Sequence, residues 1–333
     1  MTVTLEKTLE KTGNRASLAS EYVIGYAPEA QRKDQHVTPG KPTYYDIPPI
    51  KSPEWLWYIP AYFYVGGIAS GAYIVAVLAD MRGRREELPF VRAGHFVSLA
   101  AAAISPVLLI LDLGKPERWY NMLRVFRPRS MMNLGTYILS FMGAFGVAGA
   151  ISQLLRMLGP NRLLYRLAMQ PLRLFSWLGA IPAGFLGSYT AFLLAATNVP
   201  LWAGNRLLMG LLFFSSALST GLSATHLAAG LFGSLTEASK RRIKRAENQI
   251  LGVELAVTVA SGLALRGLAR PLVTGRLGLA YLLGSVGLGM LAPLGLNRLG
   301  KTSGLMGMLP PLLTLLGGAA MRLAIHEAGK RSA

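Results

Sequence analysis

The sequence predicts an all-α integral membrane protein, a bundle of about eight transmembrane helices. Three observations predict it. Of the 333 residues, 52% are hydrophobic and only 15% charged, and the apolar residues gather in blocks close to the length of about 20 residues that crosses the hydrocarbon of a bilayer. The blocks are unbroken, without the alternating polarity over roughly ten residues that marks a membrane β-barrel. The Lys and Arg residues fall mainly in the short segments between blocks, so the net charge of +18 reads as topology signalling and contact with anionic lipid rather than as nucleic-acid binding.

Residues 1–52 are polar and rich in Lys, Glu, Thr and Pro. They lack the compact apolar core and small-residue cleavage site of a secretory signal, and read as a partly disordered tail that docks on a partner. Residues 53–333 form the membrane domain, with spans expected at 58–80, 91–113, 133–158, 174–197, 205–235, 247–265, 277–296 and 305–325. Each is helical because a backbone in lipid must satisfy its own N–H and C=O groups. The sixth and seventh are short and Gly-rich, so hydropathy alone supports six to eight spans. In the first, Gly66/Ser70 and Gly67/Gly71 place small residues four apart, where a neighbouring helix or a flat ring can approach the backbone.

The loops after the first, third, fifth and seventh spans carry fifteen Lys and Arg, and those after the second, fourth and sixth carry nine. The positive-inside rule then puts both termini outside the cytoplasm, in a cell inner or plasma membrane. Counting Lys41, Lys51, Arg322, Lys330 and Arg331, the terminal cations nearest the spans, narrows the margin to fifteen against fourteen.

With no cysteine, the protein has no thiolate for an iron–sulfur cluster, a covalent haem link or a disulfide. Its four histidines, His36, His95, His226 and His326, do not fall in the paired mid-membrane pattern of a bis-histidine haem. No metal site is expected. Two acids stand at or within spans away from charged loops, Asp112 and Glu254, and an acid there is costly enough to be a functional candidate. The plainer reading of Asp112 is a helix-end carboxylate paired with Lys115 or Arg118. That of Glu254 is an acid hydrogen-bonded between helices.

Counting residues along the helices brings Asp112 to the same membrane surface as Trp55, Trp57, Tyr58, Tyr62, Tyr64 and, about two turns in, Tyr189. An acid, several phenols and the Lys115 and Arg118 cations suit a quinone, whose ring stacks on apolar surfaces and whose oxygens take up two protons on reduction. The aromatics alone also fit an interfacial belt. On the hairpin of the fifth and sixth helices, His226 and Glu254 fall at matching distances from the turn and are a candidate proton-relay pair, or a structural hydrogen bond.

Four stretches carry a family resemblance: WLWYIPAYFYVGGIASGAYIVA (55–76), LLILDLGKPERWYNML (108–123), GSYTAFLLAATNVPLW (187–202) running into a fifth helix that ends STG (219–221), and RLAIHEAG (322–329). The sequence resembles the NrfD-like family of polysulfide reductase membrane subunits from Trp55 to Gly329, most specifically in its Leu-Asp-Leu-Gly-Lys-Pro element. The resemblance implies a membrane anchor that exchanges electrons between a quinone pool, menaquinone or ubiquinone, and an iron–sulfur subunit coupled to a molybdopterin or cytochrome subunit. It implies no haem or cluster in this polypeptide. It points to Asp112 as the acid beside the quinone and to Tyr189 as a phenol contacting it. Tyr64 joins as a stacking or hydrogen-bonding partner, and Lys115 and Arg118 hold the carboxylate or the partner subunit. Where some members carry an Asn and a His before the first helix, this sequence has Glu54, Trp55 and Tyr58. Two other functions are compatible with the residues: a proton-translocating or transporter-type subunit working through His226 and Glu254, and a purely structural anchor.

Overall fold

A computed structural model describes residues 55–159, 163–232, 235–299 and 304–332; the tail and Glu54 lie outside the described residues. Among these, eight helices are long and apolar enough to cross a membrane: α1 (Tyr58–Met81), α2 (Arg85–Leu111), α3 (Met131–Met157), α4 (Met169–Ala195), α5 (Arg206–Leu231), α6 (Glu237–Leu265), α7 (Gly275–Arg298) and α8 (Met306–Arg331). No strand occurs among the described residues. Helix α6 begins ten residues before the expected position and α8 runs six residues beyond it. Their extra turns are rich in Lys, Arg, Glu and Ala, which favour helix but which hydropathy reads as loop.

Two helices are irregular. Helix α4 is interrupted at Gly179, where a Cβ would lie 2.4 Å from the Tyr73 hydroxyl and 2.6 Å from Phe145. Helix α7 is wound as a π-helix over Ala280–Leu291. Lipid offers no hydrophobic drive for helices to associate, so close backbone approach and interhelical hydrogen bonds hold the bundle together. At the α1–α5 crossing, a Cβ on Gly71 would stand within 1.8 Å of the Ala217 carbonyl oxygen. Gly289 of α7 and Gly317 of α8 touch in the same way, a Cβ on either falling within 2.5 Å of the other's Cα. Ser70 donates to the Ala183 carbonyl at 2.6 Å, Ser98 to that of Ala69 at 2.7 Å, and Tyr73 to that of Ser176 at 2.7 Å.

The alternating helices give the bundle two ends. At the end where α1 finishes, several acids and bases of the protein pair with one another. Buried Asp80 is gripped by Arg156 at 2.6 Å, Arg173 at 2.9 Å and the Trp177 indole N–H at 2.9 Å. Arg242 lies 3.2 Å from both Glu86 and Glu87, and Arg84 lies 3.6 Å from Glu87. The end where α1 begins carries Asp112.

Candidate functional site

Asp112 caps the C-terminus of α2, immediately after Leu111. Its half-buried carboxylate accepts a hydrogen bond from the backbone amide of Leu56, just before α1. Neither Lys115 nor Arg118 comes within ion-pair distance of it, so the plainer reading of a helix-end salt bridge does not describe the site. Desolvation by the surrounding residues raises the Asp112 carboxyl above the usual aspartate range, and the Leu56 amide opposes this in part.

Two phenols, on α4 and α1, lie toward the same end of the bundle as Asp112. Tyr189, on α4, is buried and donates to the Met131 carbonyl at 2.6 Å. Its ring fits against α3 only because residue 135 is glycine, where a Cβ would meet the phenol oxygen at 2.1 Å. Tyr62, on α1, is 1% exposed, and its hydroxyl has no hydrogen-bond partner. It lies close enough to Tyr189 for the two to interact electrostatically. Helical side chains lean toward the N-terminus of their helix, so Tyr62 leans back toward the Asp112 end. Tyr62 thus keeps an unused buried donor, and Asp112 keeps acceptor capacity beyond the Leu56 amide.

The other expected residues divide among three further groups. Trp55 stacks on Trp202 (centroids 5.8 Å, 16° between planes) and on His326 (6.4 Å, 17°), and the Trp202 indole donates to the Ile325 carbonyl at 2.9 Å. Tyr58 packs against the exposed Trp57 ring, at 4.4 Å. Tyr64 points away from Asp112: two positions on from Tyr62, it faces α8, donating to the Leu315 carbonyl at 3.0 Å and lying 5.8 Å under the guanidinium of Arg322.

Arg322 belongs to a mid-membrane polar group. It is 1% exposed and donates to Ser216 at 3.1 Å and to the Gly318 carbonyl at 3.2 Å. Ser216 and Ser219 are also in hydrogen-bond contact with the buried Glu254 carboxylate, whose second oxygen has no partner. Arg322 and Glu254 are thus joined through Ser216. The signal for Arg322 stood in the sequence, as a charge inside an apolar span.

His226 does not meet Glu254. Its Nδ1 lies 2.7 Å from Glu247, two turns nearer the opposite end, where Asn297 donates to the same carboxylate at 3.3 Å. The reason is the earlier start of α6, which places Glu247 inside the helix at the depth where Glu254 was expected. Among the described residues no group of three or more His, Cys, Asp or Glu gathers as metal ligands do. A groove of about 480 Å³ between α4 and α5, lined by Ile181, Phe185, Phe192 and Leu211, is apolar and contains none of these groups.

Similarity to known proteins follows the same residues. The sequence is 28% identical over 306 residues to the polysulfide reductase C subunit of Wolinella succinogenes, spanning 83% of this protein and 94% of that one. It is 26% identical over 235 residues to the NrfD homolog of Haemophilus influenzae, spanning 63% and 71%. The family described as polysulphide reductase, NrfD, matches residues 50–331, nearly the whole of the helical bundle, and the protein belongs to the NrfD family.

Proposed function

We propose that this protein is the quinone-reactive membrane subunit of a multi-subunit redox complex. It binds quinone or quinol beside Asp112 and exchanges electrons with an iron–sulfur subunit, itself joined to a molybdopterin or cytochrome subunit, at an inner or plasma membrane with both termini outside the cytoplasm. The observation that carries this reading is the half-buried, cation-free carboxyl of Asp112 above the Tyr62 and Tyr189 phenols. Membership in the NrfD family, and a relative named as one component of polysulfide reductase, support the setting of a complex.

Reduction of a quinone consumes two electrons and two protons; oxidation of a quinol returns them. The electrons belong to the partner. On this subunit Asp112 takes or gives a proton at a quinone oxygen, its raised affinity for protons letting it hold one at a higher pH than an ordinary aspartate does. Tyr62 and Tyr189 orient the ring, and Tyr62 holds the one hydroxyl that is not already committed to the backbone. In the purified complex, Asp112→Asn is expected to lower quinone-linked turnover by about 100-fold or more, and Tyr189→Phe to weaken quinone binding. Unchanged turnover in both variants refutes the reading and leaves a structural anchor.

A second reading is favoured by one observation, the buried Glu254 with its unpartnered oxygen linked through Ser216 to Arg322 in mid-membrane. There the carboxyl holds a proton in transit across the bundle, with or without quinone chemistry at Asp112. Proton flux in liposomes carrying Glu254→Gln separates the two: loss of flux with intact quinone turnover assigns Glu254 to translocation alone.

A further inference from the structure

The segment before α1 and the last turns of α8 meet in a stack of three rings. Trp202, from the connection between α4 and α5, and His326, on α8, lie ring on ring (centroids 6.1 Å, 25° between planes) and are 0% and 1% exposed. Each is fixed from within. The Trp202 indole N–H donates to the Ile325 carbonyl at 2.9 Å, and its ring lies on Gly329, where a Cβ has no room. His326 Nδ1 stands 3.2 Å from Glu327, which Lys330 also reaches at 3.4 Å, while its buried Nε2 has no hydrogen-bond partner.

Trp55 lies on this shelf, its ring close to parallel with both of the others. Offset stacking at such separations holds aromatic rings together beyond what burial alone contributes. Trp55 is the anchor of its segment, because the two residues that follow it, Leu56 and Trp57, are 57% and 63% exposed. The peptide joining Trp55 to Leu56 carries the amide that donates to Asp112. With no Lys or Arg in ion-pair distance, that amide is what favours the charged form of the carboxyl. A hydrogen bond weakens steeply as its distance and angle leave the optimum.

We infer that Trp55 and His326 are positioning residues for Asp112: the Trp202–His326 shelf holds the Trp55 ring, and through it the Leu56 amide, against the carboxylate. The inference rests on the proposed function for the reaction that is served, but not for the contact itself. The Leu56 nitrogen is two bonds from the Trp55 Cα, within one planar peptide, so a ring held in place leaves the amide little freedom to turn away. The last turns of α8 thereby act on an acid at the end of α2. The other ionisable groups around Asp112 and the stack are Lys115, Glu117 and Arg118 on the loop after α2, Tyr58 and Tyr62 on α1, Tyr189 on α4, and Glu327 and Lys330 beside His326. All of them are kept in the variants that test the stack.

The test is the pH midpoint at which the Asp112 carboxyl loses its infrared C=O band in the purified full-length protein, the band being assigned by its absence from Asp112→Asn. Trp55→Leu and His326→Leu remove a flat ring, and each is expected to raise the midpoint by about half to one pH unit, because a carboxylate deprived of a donor holds its proton more tightly. Trp55→Phe and His326→Phe keep a ring and are expected to titrate as the unaltered protein does. Leu56→Pro deletes the donor itself and sets the size of a complete loss. The midpoint is read on folded protein, so lowered stability alone does not move it. An unchanged midpoint in either Leu variant overturns the inference, as does a shift in His326→Phe equal to that in His326→Leu, which assigns the effect to the imidazole nitrogens. Midpoints that move as expected, while Asp112→Asn leaves quinone-linked turnover of the complex unchanged, uphold the positioning and count instead against the proposed function.

Discussion

Adjacent glycines on α1 separate the mid-membrane group from the site at Asp112. A Cβ on Gly67 would lie 2.5 Å from Nη2 and 3.2 Å from Cζ of Arg322, whereas one on Gly66 meets only ordinary contacts, Tyr62 at 3.5 Å and Ser105 at 3.7 Å. Alanine raises helix propensity equally at both positions, so the difference between the variants isolates the clash. Relieving it requires the guanidinium to move by roughly 1 Å to reach a normal carbon–nitrogen separation. Its bonds to Ser216 and the Gly318 carbonyl are already 3.1 and 3.2 Å long, and Tyr64 and Phe213 flank it at 5.8 and 5.7 Å. At least one charged hydrogen bond is lost, a cost of about 1.5–3 kcal/mol. Gly67→Ala is therefore expected to melt several degrees below Gly66→Ala in detergent, and in the assembled complex to impair proton movement more than quinone turnover. Equal melting temperatures for the two variants would show that Arg322 is not locked where the hydrogen bonds put it.

Three more outcomes follow from the buried charges. The raised Asp112 carboxyl favours its protonated form in the folded protein, so its contribution to stability is fully present below the ordinary aspartate value of about 4 and is lost as pH rises through the raised folded value. Asp112→Asn, which still accepts from the Leu56 amide, should flatten that part of a melting-temperature profile; an identical slope in both proteins contradicts the assignment. Asp80→Asn leaves Arg156 and Arg173 facing a neutral amide and should destabilise the fold by about 3–5 kcal/mol, measured by thermal unfolding. The His226–Glu247 contact at 2.7 Å predicts that His226→Ala and Glu247→Gln couple by about 0.5–3 kcal/mol in a double-mutant cycle, while His226→Ala and Glu254→Gln add independently.

Long apolar runs made the membrane helices readable, because burial in lipid demands length and composition more than any particular residue. The end of the bundle at which a residue lies was readable for a related reason: antiparallel helices fix the depth of each residue by counting, and counting put Asp112 and Tyr189 at one end. What counting cannot supply is rotation about the helix axis. Tyr62 and Tyr64 are equivalent in depth, yet two positions turn a helix by about 200°, and only Tyr62 faces Tyr189 while Tyr64 faces Arg322. The pairing of His226 with Glu247 was hidden by the charged opening turns of α6, which continue the helix past the point where hydropathy ends it. The bonds that the Asn133 side chain donates to the Met122 and Val125 carbonyls, ahead of α3, depend on a turn geometry with no periodic signature.

Helix α1 is the wall shared by the two chemical regions. One side presents Tyr62 and Gly66 toward α2 and Tyr189; the other presents Tyr64, Gly67 and Gly71 toward α5 and Arg322. Such a wall permits coupling without a continuous string of hydrogen bonds. A ligand that engages Tyr62 and shifts α1 by a fraction of an ångström must also alter the Gly67–Arg322 contact, which has no slack, because close-packed interiors transmit displacement instead of absorbing it. The Gly71–Ala217 contact, tighter still, holds α1 against α5. Under the proposed function, quinone occupancy beside Asp112 is then expected to couple to the Arg322–Ser216–Glu254 group, and by reciprocity protonation of Glu254 would alter quinone affinity by the same factor that quinone alters the proton affinity of Glu254.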